Sequence, residues 1–133
     1  MSTFLDENLE DVYEPKVSDD DTEAHLRIVS AVLGAKKDDA DAKRIEVTFT
    51  DPSDPEFKDF TKYFSLVENS DPKKANTQKK VRRDFYACFG IDFSRGGVDI
   101  DEMIGHEGWV VLGLDDDPEF GRKNFIKRFQ PRH

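Results

Sequence analysis

Residues 44–50, Arg-Ile-Glu-Val-Thr-Phe-Thr, alternate polar and apolar without a break. Successive side chains of an extended strand point to opposite faces, so Ile45, Val47 and Phe49 face in while Arg44, Glu46, Thr48 and Thr50 face out. The preceding segment, residues 24–33, reads as a first strand with Leu26, Ile28 and Val32 on one side. Gly34 ends it, and residues 35–43 read as a charged loop. After the Asp51-Pro-Ser-Asp-Pro turn, residues 59–68 form a third strand. It carries Phe60, Phe64 and Leu66 on one face and Thr61, Tyr63 and Ser65 on the other.

The period then changes. Asn69-Ser-Asp-Pro offers helix-entry chemistry, with Ser70 or Asp71 as cap and Pro72 in the first turn. Residues 73–89 predict an amphipathic helix whose stripe is Val81, Phe85, Cys88 and Phe89, with Gly90 as its stop. Residues 99–104 predict a helical turn closed by Gly105. Residues 107–114 predict a fourth strand, Asp115–Gly121 a hairpin loop, and 122–129 a basic fifth strand. Strand, strand, strand, helix, strand, strand is the order of a mainly β chain. It is the order of the five-stranded Greek-key OB-fold barrel, with its helix between strands 3 and 4, which binds single strands across its strand 2–3 face and nearby loops.

Charge divides the chain unevenly. It carries 20 Lys+Arg against 29 Asp+Glu, a net of −9. Residues 1–23 hold nine of the acids and one base, Lys16, which leaves the remainder nearly neutral. The sequence therefore predicts an acidic, partly disordered arm over residues 1–23 and an OB-fold domain over 24–133. The bulk acidity is no argument against nucleic acid, because the body does not share it. One cysteine, Cys88, excludes an intrachain disulfide and suits a reducing compartment. No apolar run approaches the ~18 residues of a membrane span, and the acidic start does not resemble a secretion signal. Cytoplasm is the expected location, with no membrane partner.

The bases cluster. Residues 73–83 contain Lys73, Lys74, Lys79, Lys80, Arg82 and Arg83 with no acid, and residues 122–133 contain Arg122, Lys123, Lys127, Arg128 and Arg132 with none. Neutralised phosphates release condensed counterions, so such clusters are what a polyanion needs. In the fifth strand the bases interleave with Phe125 and Phe129, the pattern in which a nucleobase stacks on a ring while its phosphate meets a cation. Tyr63 is the best ring for this role, because the opposite face of its strand is apolar; Trp109 and Phe125 follow, and Lys62 adjoins Tyr63. Lys36, Lys37, Lys43 and Arg44 lie in and after the first loop, where this fold often grips a strand. The expected single-stranded DNA contacts are thus Lys36, Lys37, Arg44, Lys62, Tyr63, Lys73, Lys74, Trp109, Arg122, Lys123, Phe125, Lys127 and Arg128. The acidic Asp115–Glu119 loop opposes this reading, since it would line the groove.

Catalytic, metal and cofactor patterns are poor. Asp54, Glu56 and Lys58 resemble only a fragment of a nuclease motif. Asp115-Asp116-Asp117 lacks the alternation and terminal Glu of a calcium loop. His25, His106 and His133 show no ligand spacing, and no phosphate-cradling Gly-rich motif occurs. No catalytic residue, metal or cofactor is expected.

Several segments in order carry a resemblance: Asp6-Glu-Asn-Leu with Tyr13-Glu-Pro, Leu26-Arg-Ile-Val-Ser-Ala, Phe64-Ser-Leu-Val-Glu-Asn, Asp84-Phe-Tyr-Ala-Cys-Phe-Gly-Ile, Asp101-Glu-Met-Ile-Gly-His and Gly121-Arg-Lys-Asn-Phe-Ile-Lys-Arg-Phe-Gln-Pro. The chain resembles a family of short tailed-phage proteins, long catalogued as a domain of unknown function and often labelled single-stranded DNA-binding proteins. The resemblance implies the same barrel and sequence-tolerant, non-catalytic binding of single strands in phage DNA replication or recombination. It further implies host cytoplasm, and phage replication or recombination proteins as partners. It assigns no individual contact residue, and a monomer or a dimer fits equally. The alternative is a phage protein-interaction module, its acidic arm a mimic of DNA charge or the ligand of a host or replisome protein.

Overall fold

The computed structural model describes residues 3–5, 15–36, 39–119 and 121–131. Five antiparallel strands form one sheet: β1 (Thr22–Lys36), β2 (Asp39–Thr50), β3 (Phe60–Ser65), β4 (Glu107–Asp117) and β5 (Gly121–Phe129), in the order β3-β2-β1-β4-β5. Among the described residues one helix, α1 (Pro72–Phe89), falls between β3 and β4 in the chain, followed by a 3-10 turn, Asp101–Met103. Among the described residues no helix is long and apolar enough to cross a membrane.

The alternation at 44–50 is realised: Ile45, Val47 and Phe49 are buried on one face of β2. β1 departs from the expected pattern. Leu26 and Ile28 are fully buried, but Val32 is 48% exposed and Ala31 takes the inward position. The cause is a bulge. Ile28 pairs with Phe49 and Ser30 with Thr48, so Val29 is an extra residue and every later side chain of β1 changes face. β1 pairs with β4 through Thr22–Arg27 and with β2 from Arg27 onward, so one long strand serves two neighbours in turn.

Two expected loops are strand. Much of 35–43 extends the β1–β2 ribbon, which closes with Lys36 opposite Asp39. Asp115, Asp116 and Asp117 belong to β4 and pair with Lys123, Arg122 and Gly121. In both places a charged composition masked a backbone ladder. β3 ends earlier than expected, at Ser65, whose carbonyl accepts from Arg82 Nη1 at 2.7 Å, and Leu66 is left exposed.

Helix α1 starts where its chemistry requires. The Asp71 carboxylate accepts from the Lys73 amide at 3.0 Å, and Pro72 occupies the first turn, where its missing N–H has no intrahelical bond to make. Gly90 closes it at φ 67°, and the Ile91 amide reaches back to the Tyr86 carbonyl at 2.8 Å. The buried stripe Phe85, Cys88 and Phe89 lies on an aromatic core. Phe49 touches Phe60, Phe85 and Phe89 at centroid distances of 5.3–6.0 Å, and Phe64 stacks on Phe85 at 4.6 Å.

The outer strands β3 and β5 are not hydrogen-bonded to each other but approach across this core, with Phe64 and Phe129 6.5 Å apart. Lys58 Nζ donates to the Arg122 carbonyl at 2.9 Å on the same side. The end of the acidic leader also bridges this opening. Lys16 exchanges backbone bonds of 2.8 Å with Glu56 and Lys58. Ser18 bonds through its amide and carbonyl to the side chain of Asn124, the one polar residue among the buried described side chains. Asn124 also donates to the Gly113 carbonyl. The leader expected as an arm over residues 1–23 is therefore joined to the sheet over its last part, and the boundary at residue 23 falls within β1.

Candidate nucleic-acid interface

The inward residues define the outer face by elimination. Ala24 opposite Val110 and Leu26 opposite Gly108 point into the core, so His25 opposite Trp109 and Arg27 opposite Glu107 point out. On the same face Phe125 lies over Gly113 on β4–β5, and Tyr63 beside Glu46 on β2–β3. The outer face thus carries three exposed rings, Tyr63, Trp109 and Phe125. Phe129 instead packs against Phe64, Phe85 and Phe89.

Each ring has a local setting. The Arg44 guanidinium lies 4.0 Å from the Tyr63 ring centroid, and its Nε donates to Glu46 Oε1 at 3.0 Å. Tyr63 is thus covered on one side by a planar cation, itself a stacking surface. Gly34 makes room for this: a Cβ there would sit 2.8 Å from Glu46 Oε1. The Trp109 indole stands 5.1 Å from the His25 ring, inclined 36°. Glu107 lies 3.6 Å from both His25 Nδ1 and Arg27 Nη2. Phe125 lies flat on the backbone of Gly113, where a Cβ would meet its Cζ at 2.2 Å. A glycine at 113 is therefore what lets that ring present its face to solvent.

The cations sort by what holds them. Arg122 pairs with Asp116 at 3.4 Å and Lys123 with Asp117 at 3.7 Å. The acidic segment expected to oppose binding is thus neutralised in part by the bases expected to promote it. Lys127 is held by Asp20 at 3.1 Å and Asp21 at 2.7 Å. These bonds draw the Asp20 carboxyl below its ordinary pKa, helped by the Leu114 amide, and raise that of Lys127. Lys73, Lys74 and Arg128 are exposed and make no ion pair with another described residue.

Lys62 does not share the face of Tyr63. It lies half-buried on the opposite side of β3, Nζ 5.2 Å from the Phe64 ring centroid, and desolvation lowers its pKa. Lys36 ends β1, and Lys37 lies outside the described residues.

Two residues of this face lie outside the expected contacts. Arg27 sits on the outer face of β1, in register with both Thr50 of β2 and Glu107 of β4, between the Trp109 and Tyr63 patches. Its signal was present, since it lies between the inward Leu26 and Ile28. His25 is joined to Trp109 by a pairing of strands distant in sequence, which no local pattern announces. Among the described residues no three His, Cys, Asp or Glu side chains group as metal ligands do. No family model matches the chain, and no curated protein matches it.

Proposed function

We propose that this chain is a sequence-tolerant, non-catalytic single-stranded DNA-binding protein built on an OB-fold barrel and acting in phage DNA replication or recombination. The observation that carries the reading is the outer face: three exposed rings, one of them, Tyr63, covered by the Arg44 guanidinium, with Arg27 between the Tyr63 and Trp109 patches. Stacking on an aromatic ring contributes about 1–3 kcal/mol per base and tolerates any sequence, because every base has a π-face. The barrel reading is supported by a first strand shared between β2 and β4, its bulge, and outer strands that meet through Phe64 and Phe129.

Bases would stack on Tyr63 with Arg44, on Trp109 with His25, and on Phe125. Phosphates would meet Arg27 and Arg128, with Lys73 and Lys74 at the helix start and Lys127 once its carboxylates let go. Binding of poly-dT and of duplex of equal length, each at about 50 and about 200 mM salt, tests this. The expected result is tighter binding of poly-dT with a negative salt slope. Equal affinity for both forms, or no salt dependence, overturns it.

A further inference from the structure

The basic cluster of α1 is not one surface. Lys73 and Lys74 stand at the helix start, whereas Lys79, Arg82 and Arg83 line a separate cavity of about 520 Å³ with the rings of Tyr86 and Phe93. The two rings are 6.0 Å apart and inclined by 42°, and Phe93 is 43% exposed, so the cleft has an apolar interior open to solvent. Its cationic rim is loosely held. Lys79 is 3.8 Å from Glu68 and Arg83 3.7 Å from Asp84, both exposed pairs that another carboxylate displaces at little cost. Arg82 donates to a neutral carbonyl and keeps its full charge. This chemistry fits a large apolar side chain flanked by carboxylates.

The chain itself contains such a ligand. Phe4-Leu5 precedes Asp6-Glu7 at the head of the acidic leader. Phe4 is 89% and Leu5 75% exposed, so neither is covered by the described residues of its own chain. We propose that the leader of one copy docks in this cleft of a second copy. Phe4 or Leu5 would pack into the cleft against the rings of Tyr86 and Phe93, while Asp6 and Glu7 meet Lys79 and Arg83. One leader and one cleft per chain permit a reciprocal dimer, in which each copy gives what it receives.

The test uses the full chain and a dye-labelled peptide of residues 1–14. Fluorescence anisotropy should show the peptide binding the chain, more weakly as salt rises, with sedimentation velocity showing concentration-dependent self-association. Arg83→Glu should weaken peptide binding at least tenfold and abolish self-association, while poly-dT affinity stays unchanged. A peptide carrying Phe4→Ala should lose a comparable amount, which keeps the test decisive if the Arg83 variant folds poorly. No peptide binding at low salt, or peptide binding indifferent to both substitutions, overturns the proposal. So does a monomer at every concentration, which would leave the leader to its own chain. A fall in poly-dT affinity on Arg83→Glu would also overturn it, by making the cleft a second track for nucleic acid. Failure of poly-dT to bind at all would sink the DNA reading and leave this proposal standing.

Discussion

Replacing Asp20 and Asp21 by asparagine should strengthen single-strand binding at low salt, and the size of the effect follows from one contact. Lys127 Nζ lies 3.1 Å from Asp20 and 2.7 Å from Asp21, so a phosphate must displace two carboxylates before it meets this cation. The double substitution removes both charges and little else. Asp20→Asn keeps an oxygen for the Leu114 amide, which now bonds Asp20 Oδ1 at 3.2 Å. Asp21 has φ 63°, a left-handed conformation that asparagine adopts readily. The Ser18–Asn124 bonds remain to hold the segment in place. One extra phosphate contact steepens the slope of log K against log salt by about 0.7 for a single strand. Between about 50 and about 200 mM salt the advantage of the variant should therefore shrink about two- to threefold, and screening of the lost carboxylates shrinks it further. Anisotropy of a labelled dT oligonucleotide across that range measures both quantities. Parallel lines with the same intercept would mean that Lys127 never meets a phosphate, and the leader would have no part in binding.

Trp109 is the only tryptophan, so its fluorescence should fall as poly-dT is added, and Trp109→Ala should cost about 1–3 kcal/mol, or some 5- to 150-fold in affinity; an unchanged emission would remove it from the interface. Gly113→Ala should expel the Phe125 ring and lose its stacking while the thermal transition stays cooperative, as read by calorimetry beside the same binding assay. Asn124→Ala strands the Ser18 amide and carbonyl and the Gly113 carbonyl, and should destabilise by about 2–3 kcal/mol, a fall in Tm of about 10 °C by calorimetry. The Asp20 carboxyl, whose folded pKa is depressed, should titrate below 3.8 by NMR. Its contact with Lys127 is then fully present above that pH and is lost as the pH falls through the folded value, and Lys127→Met should move the midpoint up.

Much of the framework is legible in the residues because it rests on local rules. The alternation Ile45, Val47, Phe49 and the stripe Phe85, Cys88, Phe89 each report a buried face, and Asp71, Pro72 and Gly90 mark where backbone groups need a cap. The departures have different causes. Period two puts Val32 inside, but one extra residue at Val29 changes the face of everything after it, and a bulge leaves no local mark on the pattern. Residues 39–43 and 115–117 have the composition of loops, yet backbone pairing makes them strand whatever their side chains. Lys62 is the neighbour of Tyr63 in sequence, and adjacent residues of a strand face opposite ways.

The same division applies to charge. From the sequence alone comes the inventory: nine acids at one end, bases gathered on the helix and in the last strand, and rings set among those bases. Only the tertiary structure decided which of these charges meet. Asp116 and Asp117 form ion pairs with Arg122 and Lys123 across one ribbon, and Asp20 and Asp21 reach Lys127 across more than a hundred residues. Coulomb interactions fall off with distance in space and take no account of separation along the chain, so a count of charges cannot say which cations stay available to a phosphate. Folding brings remote carboxylates onto some bases and leaves Lys73, Lys74 and Arg128 without an ion pair among the described residues.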